Sequence, residues 1–83
     1  MAPIDEVKLV LGETLQLGER ANGFTADTPL FGAIAEFDSM AVVTVVTALE
    51  ERFDIFIEDD EIDAEIFATV GSLASFVEQK LAA

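Results

Sequence analysis

The sequence predicts an all-α fold: a four-helix bundle with three main helices, one short third helix, and a long loop between the first and second. Three observations carry that expectation. Apolar residues recur at spacings of three and four in separate stretches, as they do along one buried helix face. That periodicity fails over residues 18–37, where glycine, proline and turn-forming residues collect. No stretch alternates apolar and polar residues convincingly enough to compete as a strand. A chain of 83 residues fits a single domain, 1–83.

The first helix is expected over 4–17. Ile4, Val7, Leu11 and Leu15 form its stripe, Pro3 suits the first helical position, and Gly18 suits the end. The loop over 18–37 contains Asn22, Gly23, Asp27, Thr28, Pro29 and Gly32, and is long for a compact domain. Phe24, Leu30, Phe31 and Ile34 are its candidate anchors. Asp38 is placed to open a second helix, because a carboxylate at that position accepts a bond from an orphan N–H. That helix is expected to reach Phe53, with Val42, Val45, Val46, Leu49 and Phe53 inward. The run 42–46 includes four β-branched valines and threonine and leans toward strand; Ala41, Ala48, Leu49 and Glu50 around it favour helix. A short third helix is expected over 59–67, with Ile57, Ile62, Ile66 and Phe67 as anchors. A last helix is expected from near Ser72, with Leu73, Phe76, Val77 and Leu81 inward. Val42, Val46, Leu49, Phe53 and Phe76 are the expected core lining. Lys80 falls in the last turn, where a cation complements the helix dipole.

Composition narrows the chemistry. There is no Cys, so neither a disulfide nor a thiolate metal site can form, and there is no His to act as the usual base near neutral pH. Only carboxylates and Lys remain as acid or base, and their spacing defines no paired site, so an enzyme is not expected. The net charge is -13, with five acids and two bases in residues 1–35 and twelve acids and two bases in 36–83. Such a surface repels nucleic acid and anionic lipid and attracts basic protein patches. The acidic start and the shortness of the uncharged run 40–49 give neither a secretory signal nor a spanning segment. A soluble, cytoplasmic monomer without nucleic-acid binding or membrane insertion is the expectation. Calcium binding by the acidic run 58–65 is disfavoured, because no window supplies the glycine that an EF-hand loop requires.

The second helix carries more apolar surface than one buried face needs. Met40, Val43, Thr44, Thr47 and Glu51 lie roughly opposite the Val42–Val46–Leu49 stripe, with Glu50 nearby. Apolar surface rimmed by acids points to a partner site.

Asp38-Ser39-Met40 resembles the Asp-Ser-Leu signature of acyl carrier proteins. Ala48-Leu49-Glu50-Glu51-Arg52-Phe53-Asp54 is similar to that family's Ala-Leu-Glu-Glu-x-Phe segment, at the family's distance after the Ser. Leu11-Gly12-Glu13-Thr14-Leu15 resembles the end of its first helix, and Thr69-Val70-Gly71-Ser72-Leu73 the start of its last. The resemblance implies that Ser39 receives 4′-phosphopantetheine from a phosphopantetheinyl transferase, with Asp38 as motif residue and helix cap. It further implies that acyl groups are presented as thioesters to acyl-transfer, condensing or ligase enzymes with basic docking patches. Met40, Val43, Thr44, Thr47, Glu50 and Glu51 are the candidate docking residues. A carrier without cysteine needs a borrowed thiol, and a helix N-terminus suits the linking phosphodiester.

Four departures accompany the match. Phe37 stands where a small residue is common, Ala41 and Thr44 where acids are common, and Thr47 where a Met is common. Residues 58–68 are about two residues longer than usual. The stretch 31–43 resembles a bacterial subgroup associated with exosortase and exopolysaccharide gene clusters, which implies a specialised fatty-acid, lipid or polyketide-like pathway. The alternative is a small acidic interaction module, an antagonist of a basic partner, with Ser39 unmodified.

Overall fold

The computed structural model describes residues 3–31 and 37–82. Among these residues three α-helices, α1 (Pro3–Thr14), α2 (Ser39–Phe53) and α3 (Val70–Ala82), are accompanied by two 3-10 turns, Gly18–Gly23 and Asp59–Glu61. α1 packs against both α2 and α3. The core draws on all three helices: Val7, Leu11, Val45, Leu49, Leu73 and Val77 are wholly buried, and Leu30 joins them from the long loop. No described helix is long and apolar enough to cross a membrane.

α1 ends earlier than its apolar pattern suggests. The Leu17 N–H donates to the Gly12 carbonyl (3.0 Å) and Gln16 takes a positive φ of 55°, which completes a Schellman closure. Leu15 and Leu17 still bury their side chains, so the apolar run continues past the end of the helix. α2 closes in the same way, with Asp54 at φ 54° and the Ile55 N–H donating to the Glu50 carbonyl (3.1 Å).

The long loop is stitched to the start of α3. Leu30 and Phe31 donate to the carbonyls of Ala68 and Phe67 (both 3.0 Å), while Val70 and Gly71 donate to Thr28 and Ala26 (2.9 and 2.8 Å). Gly71 is required for this approach, since a Cβ there would lie 2.7 Å from the Ala26 carbonyl oxygen. Leu30 is the buried anchor and Phe24 is half-buried; Phe31, expected as an anchor, is 49% exposed, and Ile34 lies outside the described residues.

The short third helix is realised as the single 3-10 turn Asp59–Glu61, less than the expected 59–67. Asp63 Oδ1 accepts the Ile66 N–H and Ser72 Oγ donates to the Ile66 carbonyl, so side chains take bonds that a longer helix would have used. α3 starts at Val70, two residues earlier than expected. Leu73 and Val77 are buried as expected and Phe76 is half-buried, but Leu81 is exposed.

Candidate functional site

α2 begins where its sequence says it should. Asp38 is its N-cap: the backbone is extended there (φ -104°, ψ -173°), and Oδ1 accepts the Ala41 N–H at 2.9 Å. The Asp38 carbonyl accepts the Val42 N–H at 3.0 Å, the first bond of the helix proper. Ser39 is therefore the first helical residue, and it is exposed. N–H groups of a first turn have no helical carbonyl to bind, and the dipole is positive there. A phosphate ester at Ser39 Oγ would meet that end.

The other two serines have different surroundings. Ser72 Oγ accepts the Thr69 N–H (3.0 Å) and donates to the Ile66 carbonyl (2.7 Å), so its hydroxyl is spent on starting α3. Ser75 is exposed within α3, away from a helix terminus. Ser39 alone among the three joins exposure to a helix start.

A cavity of about 300 Å³ lies beside Ser39, lined by Phe31, Ser39, Val42, Ile62, Asp63, Ala64 and Phe67. Its lining is largely apolar. Phe37 is buried directly before the Asp-Ser pair, with its ring edge-on to Phe31 (6.3 Å, 81°) and tilted against Phe67 (5.6 Å, 46°). The departure from a small residue at 37 is thus filled by an aromatic cluster behind the cavity.

The outward face of α2 is exposed as its spacing requires. Met40 is 75% and Val43 62% exposed, and Thr44, Thr47 and Glu51 are exposed beside them. Thr44 and Thr47 turn their hydroxyls back to the carbonyls of Met40 and Val43 (3.2 and 3.0 Å), which leaves this face less polar than its composition suggests. Glu50 differs from its expected companions. Half-buried, it accepts the Ile57 N–H through Oε2 at 2.8 Å and pins the chain after α2.

Sequence reasoning missed Phe56, which is 69% exposed. Val43, Val46, Thr47, Glu50, Phe56, Ile57, Ile62 and the acids Glu58, Asp59 and Asp60 line a groove of about 620 Å³. Its signal was present: Ile55 and Ile57 face inward and Phe56 between them faces out, an extended alternation between the two expected helices. Among the described residues no cluster of carboxylates is arranged to hold a metal ion.

The family described as "Phosphopantetheine attachment site" matches residues 5–77. An acyl carrier protein from Sulfurovum sp. (strain NBC37-1) is 43% identical over 82 residues, covering 94% of this chain and 97% of its own. One from Wolinella succinogenes is 39% identical over 82 residues, covering 94% and 96%. The solution NMR structure of a holo acyl carrier protein from Nitrosomonas europaea matches with a TM-score of 0.93 at 54% identity, over 100% of both chains. The chain therefore belongs to the acyl carrier protein family: it is a carrier and not an enzyme, and its prosthetic group is 4′-phosphopantetheine.

Proposed function

We propose that Ser39 is the attachment residue and that the protein presents acyl groups as thioesters to partner enzymes of a specialised fatty-acid, lipid or polyketide-like pathway. The observation that carries this reading is the exposed hydroxyl of Ser39 at the first position of α2, beside an apolar cavity. Asp38 holds the first turn, and the Ser39 oxygen becomes the ester oxygen of the phosphodiester. In that transfer the hydroxyl oxygen bonds the pantetheine-side phosphorus of coenzyme A, the phosphoanhydride breaks, and the adenosine 3′,5′-bisphosphate half leaves with the hydroxyl proton. When attached, the group supplies the thiol that this Cys-free chain lacks.

Met40, Val43, Thr44, Thr47 and Glu51 form the docking face in this reading, with Glu50 fixing its lower edge. Phosphopantetheinyl transferase and the acyl-handling enzymes approach it with basic patches, drawn by the net charge of -13. Tethering raises the effective concentration of the acyl group at each partner. The stretch 31–43 and the departures at 37, 41, 44 and 47 support dedicated partners.

Intact-mass measurement after incubation with coenzyme A and a broad-specificity transferase tests the reading. The wild type should gain one phosphopantetheinyl group and Ser39→Ala none. An unmodified wild type would instead favour the acidic interaction module. Glu51→Lys should slow loading by a basic transferase several-fold at low salt and less at high salt; an unchanged rate would remove Glu51 from the docking face.

A further inference from the structure

Residues 58–65 carry Glu58, Asp59, Asp60, Glu61, Asp63 and Glu65, and like charges in succession push such a segment away from the fold. Its flanks are pinned. The Ile57 N–H is held by Glu50, and the Ile66 carbonyl by Ser72. Between these pins, Lys80 bonds the segment from elsewhere in the fold. Its Nζ lies 2.9 Å from both Glu61 carboxylate oxygens, reaching across from the last turn of α3. Both side chains are mostly shielded, 24% and 30% exposed. The same carboxylate accepts the Glu58 N–H at 2.9 Å and so closes the 3-10 turn.

The next residue is Ile62, which lines both the 300 Å³ cavity beside Ser39 and the 620 Å³ groove along α2. One side chain is thus a common wall between two spaces, and the residue before it is tied to α3 by an ion pair. A lysine placed only to complement the α3 dipole would have no need to reach Glu61.

Resting on the attachment at Ser39 argued above, we propose that Lys80 is a positioning residue that sets the length of aliphatic acyl chain the protein shelters, by holding Ile62 through Glu61 as the partition between the cavity and the groove. With the pair made, a chain entering beside Ser39 meets the smaller space. With the pair broken, the acidic segment moves outward, Ile62 goes with it, and the two spaces join. Short chains are sheltered in the first state, and longer ones gain room in the second.

The test loads wild type, Lys80→Met, Lys80→Arg and Glu61→Gln with saturated acyl groups of graded length. The rate of thioester cleavage by hydroxylamine is then measured for each. In the wild type, cleavage should quicken once the chain outgrows the smaller cavity. In Lys80→Met and Glu61→Gln that crossover should move to longer chains, changing the long-to-short rate ratio at least threefold. Lys80→Arg should keep the wild-type profile. Glu61→Gln retains an acceptor for the Glu58 N–H, so it answers the question even where Lys80→Met folds poorly. Amide hydrogen exchange over 58–66 in the unloaded protein reads the fastening without cargo, and should quicken in both charge-removing variants. Equal changes at every chain length, or exchange that stays as in the wild type, would overturn the role of Lys80. Failure to load the wild type at all would instead remove the reading of Ser39, and the proposal with it.

Discussion

Asp38 and Ser39 divide the work of one helix terminus: the first spends its side chain on the Ala41 N–H, which leaves the second with a free-standing, exposed hydroxyl. Asp38→Ala should lower stability by about 1 kcal/mol, the usual worth of such a cap. Thermal melts should show Asp38→Asn losing much less, and equal losses would mean that the cap bond contributes little. Glu61 gives a pH-dependent case. Its carboxyl is held below the ordinary glutamate value, first by the bond from the Glu58 N–H and next by Lys80. Folding therefore favours its charged form. That stabilisation is complete above the ordinary value and is lost as pH falls through the lowered folded value. The gap in melting temperature between wild type and Glu61→Gln should narrow as pH drops through that window; a constant gap would contradict the assignment. At this scale the sequence was most legible at Ser39 and Asp38, because a cap and a helix start are local matters. Phe56 and the tether role of Glu50 were not legible, since both depend on how the chain folds back after α2.

α2 tests how far an element can be read from its residues. Its run of valines and threonine favours strand, yet Asp38 caps it and Val45, Val46 and Leu49 bury one face, and the packed face outweighs propensity. Leu49→Ala should cost about 2–5 kcal/mol, as deletion of a wholly buried leucine does. A loss below about 1 kcal/mol in denaturant titration would mean that the neighbouring side chains collapse into the space. Helix ends were less legible than helix faces. Gly18 was the expected stop for α1 and does take a left-handed φ of 59°, but the helix already closes at Gln16 (φ 55°), and nothing in a glutamine marks that conformation. Leu17 then buries its side chain beyond the helix, so apolar spacing overran the true end. The stretch 59–67 failed for a related reason: Asp63 and Ser72 bond the backbone around Ile66 in ways that helical periodicity does not reveal.

Across the whole molecule, charge is distributed against stability. Residues 36–83 hold twelve acids and two bases. One of those bases, Arg52, joins α2 to Glu6 of α1 (2.7 Å from Nε), and the other, Lys80, fastens the acidic segment. Repulsion among the remaining acids should be relieved by screening, so added salt or divalent cations should raise the melting temperature. A flat or falling response would show that screening of the two ion pairs cancels the relief. The overall helical plan followed from the sequence because each helix declares its own inward face. The stitching of the long loop onto α3 did not, since it joins backbone groups about forty residues apart, as in the bond from the Leu30 N–H to Ala68. Localising the modification within the loaded protein tests the central claim most directly. Fragment-ion mass spectrometry should place the phosphopantetheinyl group on Ser39 in every modified molecule, with Ser72 and Ser75 unmodified; an adduct on either of those serines would contradict it.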